Sequence, residues 1–149
     1  MNHKSTINEL LLVQFLKFGQ SLQNNLDHLF QDYALTKQQY NVLRILRGAE
    51  EHRLPVIQLR DRLIEEQPDI TRLIERMIKK NLLNKYRDNR DKRKFYIQLN
   101  KKGLEKCHAL DPIVQAWGMD MFSCYSEQEK TQLTDLLHLI VPKDKNENT

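Results

Sequence analysis

The stretch QPDITRLIERMIKKNLLNKYRDNRDKRKFYIQLNKKG, from Gln67 to Gly103, changes its hydrophobic period twice. Ile70, Leu73, Ile74, Met77 and Ile78 stand at i, i+3, i+4, i+7 and i+8, the spacing that gathers apolar side chains on one side of an α-helix. Thr71, Arg72, Glu75, Arg76 and Lys79 then share the opposite face. After Asn81 the period falls to two: Phe95, Ile97 and Leu99 alternate with Tyr96 and Gln98, as in a half-buried strand. Leu83 to Arg87 is the natural antiparallel partner, which leaves Asp88 to Lys94 as a hairpin tip. A helix resumes at Lys101.

The same stretch concentrates charge. It holds twelve basic residues (Arg72, Arg76, Lys79, Lys80, Lys85, Arg87, Arg90, Lys92, Arg93, Lys94, Lys101, Lys102) against four acids (Asp69, Glu75, Asp88, Asp91). Its balance is +8 in a chain whose formal net charge is +4, so the remainder carries −4. A basic helix joined to a basic hairpin is a seat for a polyanion, and nucleic acid is the polyanion whose grooves suit that shape.

Outward from this segment the chain reads as helical. Ile7, Leu11, Phe15, Phe18, Leu22, Leu26, Leu29 and Phe30 step by three and four, one stripe on a helix of about six turns. Thr36 with Gln39 is a capping box that opens a helix turning Tyr40, Leu43 and Leu46 inward and ending near Gly48. Pro55 and Pro68 each predict the first turn of a short helix, the first followed by Ile57, Leu59, Leu63 and Ile64. The helix from Lys101 carries Leu104, Cys107, Leu110, Val114, Trp117 and Met121, and Pro112 within it predicts a kink or a break. Ser126 with Glu129 opens a last helix with Leu133, Leu136, Leu137 and Ile140 inward.

Length and composition set bounds. At 149 residues, 40% apolar and 30% charged, the chain supports one globular domain, or a compact domain with a dimerisation element. No run of eighteen apolar residues spans a membrane, and MNHKSTINELLLVQF reads as a helix, not a signal peptide. Cys107 and Cys124, seventeen apart and without metal-type spacing, fit a reducing, cytoplasmic setting. No Gly-rich phosphate loop, nucleophile elbow, His-Glu-x-x-His or paired-Cys motif occurs, and His3, His28, His52, His108 and His138 are scattered. No catalytic residue, cofactor or metal site is expected, and a catalytic role is not supported.

Three short helices followed by a hairpin is the layout of a winged helix-turn-helix, and here the chain resembles the MarR-type transcriptional regulators. The matching residues are Leu35-Thr36 with Gln39 and Val42-Leu43, then DITRLIERMIKKNLL (Asp69 to Leu83), DNRDKR (Asp88 to Arg93) and IQLNKKG (Ile97 to Gly103). Asn81 stands where the family usually turns on Gly, Arg60 where Ala is common, and Asn100 where Thr is usual. Asn is the next-best residue for a left-handed cap and a plausible N-cap. The resemblance covers nearly the whole chain. It implies a mainly α fold with a small two- to three-stranded antiparallel wing: dimerisation helices at 1–32 and 104–141, a winged helix-turn-helix at 33–103, and a polar tail at 142–149.

The residue chemistry suits DNA without the family name. A helix about ten residues long fits the major groove and offers its polar face to phosphates and base edges. Solvated helix faces carry such residues too, but the adjacent basic hairpin together with the resemblance turns the balance for Arg72 and evens it for Arg76, and Thr71 and Lys79 on the same face join them as candidate DNA-binding residues. At the wing tip Arg93 suits a narrow minor groove, where negative potential is concentrated. Arg90, Lys92 and Lys94 add phosphate attraction. Asp91 is repelled by phosphate, so its role is to hold Arg93 or the hairpin turn by charge-assisted hydrogen bonds.

These readings converge on a homodimeric, sequence-specific regulator, a repressor on a near-palindromic double-stranded DNA operator. The resemblance further implies release by a small aromatic effector in a cavity whose candidate walls are Phe15, Phe18, Leu22, Tyr40 and Trp117. Two other readings stay open: a redox sensor using Cys107 or Cys124, and a winged helix used only for protein contacts.

Overall fold

A computed structural model describes residues 5–64, 67–88 and 91–140. Among them run α1 (Ile7–Gln31), α2 (Lys37–Arg47), a 3-10 turn (Glu50–His52), β1 (Arg53–Pro55), α3 (Val56–Asp61), α4 (Ile70–Lys79), β2 (Leu83–Arg87), β3 (Phe95–Leu99), α5 (Lys101–Met121) and α6 (Glu127–Ile140). Arg90 and the tail 142–149 lie outside the described residues. By compactness the chain divides into residues 1–41 and 42–149, with the boundary inside α2.

In the first unit, the expected long helix forms. Thr6 caps α1 through a box the periodicity does not announce: its Oγ1 accepts from Glu9 N at 3.3 Å and its own N–H donates to Glu9 Oε2 at 2.7 Å. At the other end the ring of Phe30 stacks on Tyr40 with centroids 4.3 Å apart. Lys37 Nζ donates to Gln23 Oε1 and lies 3.7 Å from Asp27 Oδ2, tying the start of α2 to α1. The Thr36 box is present, with Gln39 N donating to Thr36 Oγ1 at 3.2 Å. Ile7, Leu10, Leu11, Leu12, Val13 and Leu16 on α1 are exposed.

In the second unit, three strands pair antiparallel in the order β1-β3-β2. Leu83 opposes Leu99, Lys85 opposes Ile97 and Arg87 opposes Phe95, while Leu54 of β1 opposes Ile97. Opposed residues share a face, so Leu54, Leu83, Ile97 and Leu99 form one buried sheet surface. Leu43, Leu46, Leu59, Leu73, Met77 and Leu110 complete a core in which each buried side chain is worth about 1.5–3 kcal/mol against exposure. Arg47 at the end of α2 forms an ion pair with Asp111 of α5.

The structure corrects several local expectations. Pro55 ends β1 and stands just before α3 rather than in its first turn, because φ −58° and ψ 144° suit an edge strand as well as an N-cap. Helix α3 stops at Asp61, so Leu63 and Ile64 fall outside it. Pro68 sits in the turn before Asp69, the true N-cap of α4. On α4, Leu73, Ile74 and Met77 are buried but Ile70 and Ile78 only half-buried. Helix α5 runs unbroken through Pro112, which is exposed together with His108, the residue whose carbonyl loses its helical donor. On α6, the Ser126–Glu129 box forms, but Leu136 and Ile140 are exposed rather than inward.

One junction fixes α4, the wing and α5 together. Asn81 takes the left-handed conformation at φ 57°. Its N–H then reaches Ile78 O at 2.8 Å and that of Leu82 reaches Met77 O at 3.0 Å, a Schellman ending for α4. Asn100 caps α5 by accepting from Gly103 N at 2.9 Å, and its Nδ2 donates to Asn81 O at 3.0 Å. A Cβ on Gly103 would lie 2.2 Å from the Leu82 carbonyl oxygen.

Gly103→Ala should therefore destabilise the protein by about 1–3 kcal/mol, although Ala is the better helix former. Asn81→Ala should cost about 1–2 kcal/mol through its left-handed backbone. Urea unfolding midpoints check both, and a Gly103→Ala variant as stable as wild type would contradict the close approach.

Candidate nucleic-acid interface

Helix α4 begins where Asp69 can cap it. The Asp69 carboxylate accepts from Arg72 N at 2.9 Å and lies 3.5 Å from Arg72 Nε. The cap satisfies one of the four free N–H groups of the first turn. The exposed ion pair is worth little, so Arg72 exchanges it readily for another anion. With Leu73, Ile74 and Met77 turned into the core, Thr71, Arg72, Glu75, Arg76 and Lys79 are all exposed on the opposite side. The polar face expected from the sequence is present.

The wing tip is held by two aspartates. Asp88 N donates to Lys94 O at 2.9 Å, extending the β2–β3 ladder, and the Asp88 carboxylate accepts from Asp91 N at 3.1 Å. Asp91 Oδ1 accepts from Arg93 N at 3.0 Å, and its carbonyl accepts from Lys94 N at 2.9 Å. Its other carboxylate oxygen lies 3.9 Å from Lys94 Nζ. Asp91 thus grips the turn through the backbone of Arg93, and Lys92, Arg93 and Lys94 project as exposed side chains.

Helix and wing meet across a cleft of about 470 Å³. Thr71 and Ile74 of α4 line one wall; Lys85, Arg93, Lys94 and Phe95 of the wing line another. Along β2 the core-side face passes from Leu83, which is buried, to Lys85 and Arg87, which are exposed. Lys85 Nζ lies 4.5 Å from the centre of the Phe95 ring and Arg87 Cζ 5.4 Å from it. On the other face Arg53 lies 5.7 Å from the Tyr96 ring and pairs with Glu51 at 2.6 Å. Sequence reading missed Asp69 as a cap and Phe95 as a cation seat. The Pro-Asp pair before an apolar period was the available signal for the first; the second needs the strand register.

Phe15 and Phe18 are each 46% exposed, Leu22 is half-buried, and Tyr40 stacks on Phe30. Trp117, in the other unit, is half-buried on α5. The two cysteines differ. Cys124 is exposed, whereas Cys107 is buried with its Sγ 3.8 Å from Leu43 O, and burial pushes its thiol up in spite of the Arg47 charge. Among the described residues there is no cluster of three or more metal-ligating side chains, and no helix is long and apolar enough to cross a membrane.

A sequence-family model described as the transcriptional regulator SarA/Rot matches residues 26–110, from the end of α1 through the wing and into α5. The chain belongs to the SarA/Rot family of transcriptional regulators. That is a family of regulators, not of enzymes. Its structure has the MarR-type winged-helix fold. AbsC, a MarR family regulator from Streptomyces coelicolor, superposes with a TM-score of 0.83 at 22% identity, over 94% of this chain and 96% of its own. Sco3205 from the same organism, solved in complex with DNA, gives 0.83 at 18% identity over 100% and 95%. The S. aureus MepR–DNA complex gives 0.78 at 21% identity over 93% and 98%. The HTH-type transcriptional repressor YetL of Bacillus subtilis is 22% identical over 127 residues, 85% of this chain and 76% of YetL.

For this SarA/Rot-family protein the two thiols should react very differently. Thiolate is the nucleophile, and a raised pKa lowers its fraction at any given pH. At mildly alkaline pH an alkylating reagent should label Cys124 promptly and Cys107 only on unfolding; equal rates by peptide mass spectrometry would contradict the burial.

Proposed function

We propose that the protein is a homodimeric, sequence-specific regulator that binds duplex DNA, a repressor released from a near-palindromic operator by a small aromatic effector. The observation that carries this reading is the shared cleft: Thr71, from the exposed polar face of α4, and Arg93 and Lys94 of the wing tip line one opening. In that arrangement Thr71, Arg72, Arg76 and Lys79 enter a major groove, and Arg93 enters the neighbouring minor groove. Lys92, Lys94 and Arg90 supply phosphate attraction, and Asp91 holds the tip so that Arg93 is ordered before it binds. The Sco3205 and MepR structures, both complexes with DNA, support the binding mode, and YetL, a transcriptional repressor, supports the sign.

Dimerisation is supported by apolar surface that the chain leaves open. Leu11 and its neighbours on α1, and Leu136, Leu139 and Ile140 on α6, are exposed side chains of the kind that mark an interface. A two-fold dimer presents two α4 helices to successive major grooves, so half-site centres lie about one helical turn, ~10 base pairs, apart or a little more. Phe15, Phe18, Leu22 and Tyr40 in the first unit, and Trp117 in the second, each remain a proposed effector contact, and the cytoplasm is the proposed compartment. The burial and raised pKa of Cys107 speak against it as a redox trigger. A winged helix used only for protein contacts would have no call for wing-tip cations.

Arg72→Ala should weaken the operator far more than random duplex, since a good base-edge contact is worth roughly 1–3 kcal/mol of discrimination. Arg93→Ala should weaken both and flatten the slope of log affinity against log salt by about one unit for each wing. Fluorescence anisotropy across a salt series measures both, and an Arg93→Ala variant with unchanged affinity and slope would take the wing out of the groove.

A further inference from the structure

Phe95 belongs to a strand whose alternation would make it an ordinary core residue, yet the two cations nearest it give it another task. Opposed and diagonal residues on an antiparallel pair share a face. Arg87 is the cross-strand partner of Phe95, and Lys85, partner of Ile97, stands one step diagonal on that face. Both side chains are exposed and both lie over the same half-buried ring, at 4.5 Å for Lys85 Nζ and 5.4 Å for Arg87 Cζ. Among the described residues neither makes an ion pair. Arg53 over Tyr96 differs, since Glu51 neutralises it at 2.6 Å.

Lys85 and Arg87 are two residues apart on one strand face, about 6.6 Å along the chain axis, and like charges at that spacing repel. Left free, they would swing apart through many rotamers. The negative face of an aromatic ring attracts each cation, offsets their repulsion and removes much of that freedom before any ligand arrives. The ring and Lys85 also line the cleft that Thr71, Arg93 and Lys94 border, and Arg87, exposed over the same ring, continues the row along β2.

We propose that Phe95 is a positioning residue: its ring seats Lys85 and Arg87 as a two-cation rail for adjacent phosphates of nucleic acid bound at α4 and the wing tip. The inference deepens the DNA-binding reading and rests on it. The rail belongs to the sequence-independent part of the interface, because it meets phosphates rather than base edges. Removing the ring leaves both charges present but disordered. Affinity should then fall while the number of counterions released, and so the salt slope, stays the same.

The test uses the full chain and a labelled random-sequence duplex over a salt series. Phe95→Leu should weaken binding about three- to tenfold with an unchanged salt slope, while Phe95→Tyr and Phe95→Trp stay within about twofold of wild type. With Lys85→Ala and Arg87→Ala both present, Phe95→Leu should have no further effect. A measurement on the wild type does not depend on how the variants fold: ring current should shift the Lys85 ε-protons and the Arg87 δ-protons upfield in the free protein. Unshifted protons, a Phe95→Leu variant that binds like wild type, or a loss that persists without the two cations would each overturn the positioning role. Wild type that fails to bind duplex at all would instead sink the DNA reading and this inference with it.

Discussion

The close approach of Gly103 to the Leu82 carbonyl sets the geometry of α4 and the wing. At that contact three elements meet within a few residues: α4 has just ended on left-handed Asn81, β2 is about to begin at Leu83, and α5 has just begun from its Asn100 cap. No side chain fits between the carbonyl and the helix, since even a Cβ would be 2.2 Å away. Asn100 closes the arrangement by capping α5 with one side-chain atom and binding the Asn81 carbonyl with another. The exit direction of α4, the root of the wing and the start of α5 are therefore one packed unit. Interfaces that read DNA depend on such fixed placement, because a base-edge contact has value only at the right position.

On that frame charge is distributed by the pleat and the helical period. The turn of α4 that buries Leu73, Ile74 and Met77 necessarily exposes Arg72, Arg76 and Lys79. The strand face that buries Leu83 at its root carries Lys85 and Arg87 once it leaves the core. Three of the four acids within this basic segment serve as fasteners. Asp69 caps α4, and Asp88 and Asp91 clamp the wing turn through backbone amides. Cations whose supports are already formed would lower the ordering cost of binding a polyanion there.

Much of this was legible in the residues. The period of α4, the alternation of β3, the left-handed role of Asn81 and the capping by Asn100 all follow from local chemistry, and the structure has them as read. What escaped depends on partners distant in sequence. Arg53, Leu54 and Pro55 form a strand only because Gln98, Ile97 and Tyr96 stand ready to pair with them, and three residues ending in Pro give no period to read. Phe95 read as half-buried strand because its cations sit on a neighbouring strand whose register the sequence does not state. Leu136 and Ile140 show the converse: an apolar stripe says that a face suits burial, not that its own chain covers it. Of the candidate interface, the cations of α4 and the wing tip and the holding role of Asp91 were read from the sequence, while the Asp69 cap, the Asp88 clamp and the Phe95 seat came from the structure.

The most direct test of the account is hydroxyl-radical footprinting of the wild-type protein on a duplex selected from a random pool. Two recognition helices and two wings on one duplex should give two protected blocks, related by the two-fold of a near-palindrome and centred about one helical turn, ~10 base pairs, apart or slightly more. Each block should be flanked outward by protection in the minor groove where the wing tip lies. A single asymmetric block, or selection of single strands over duplex, would contradict an interface built by two copies of α4 and its wing.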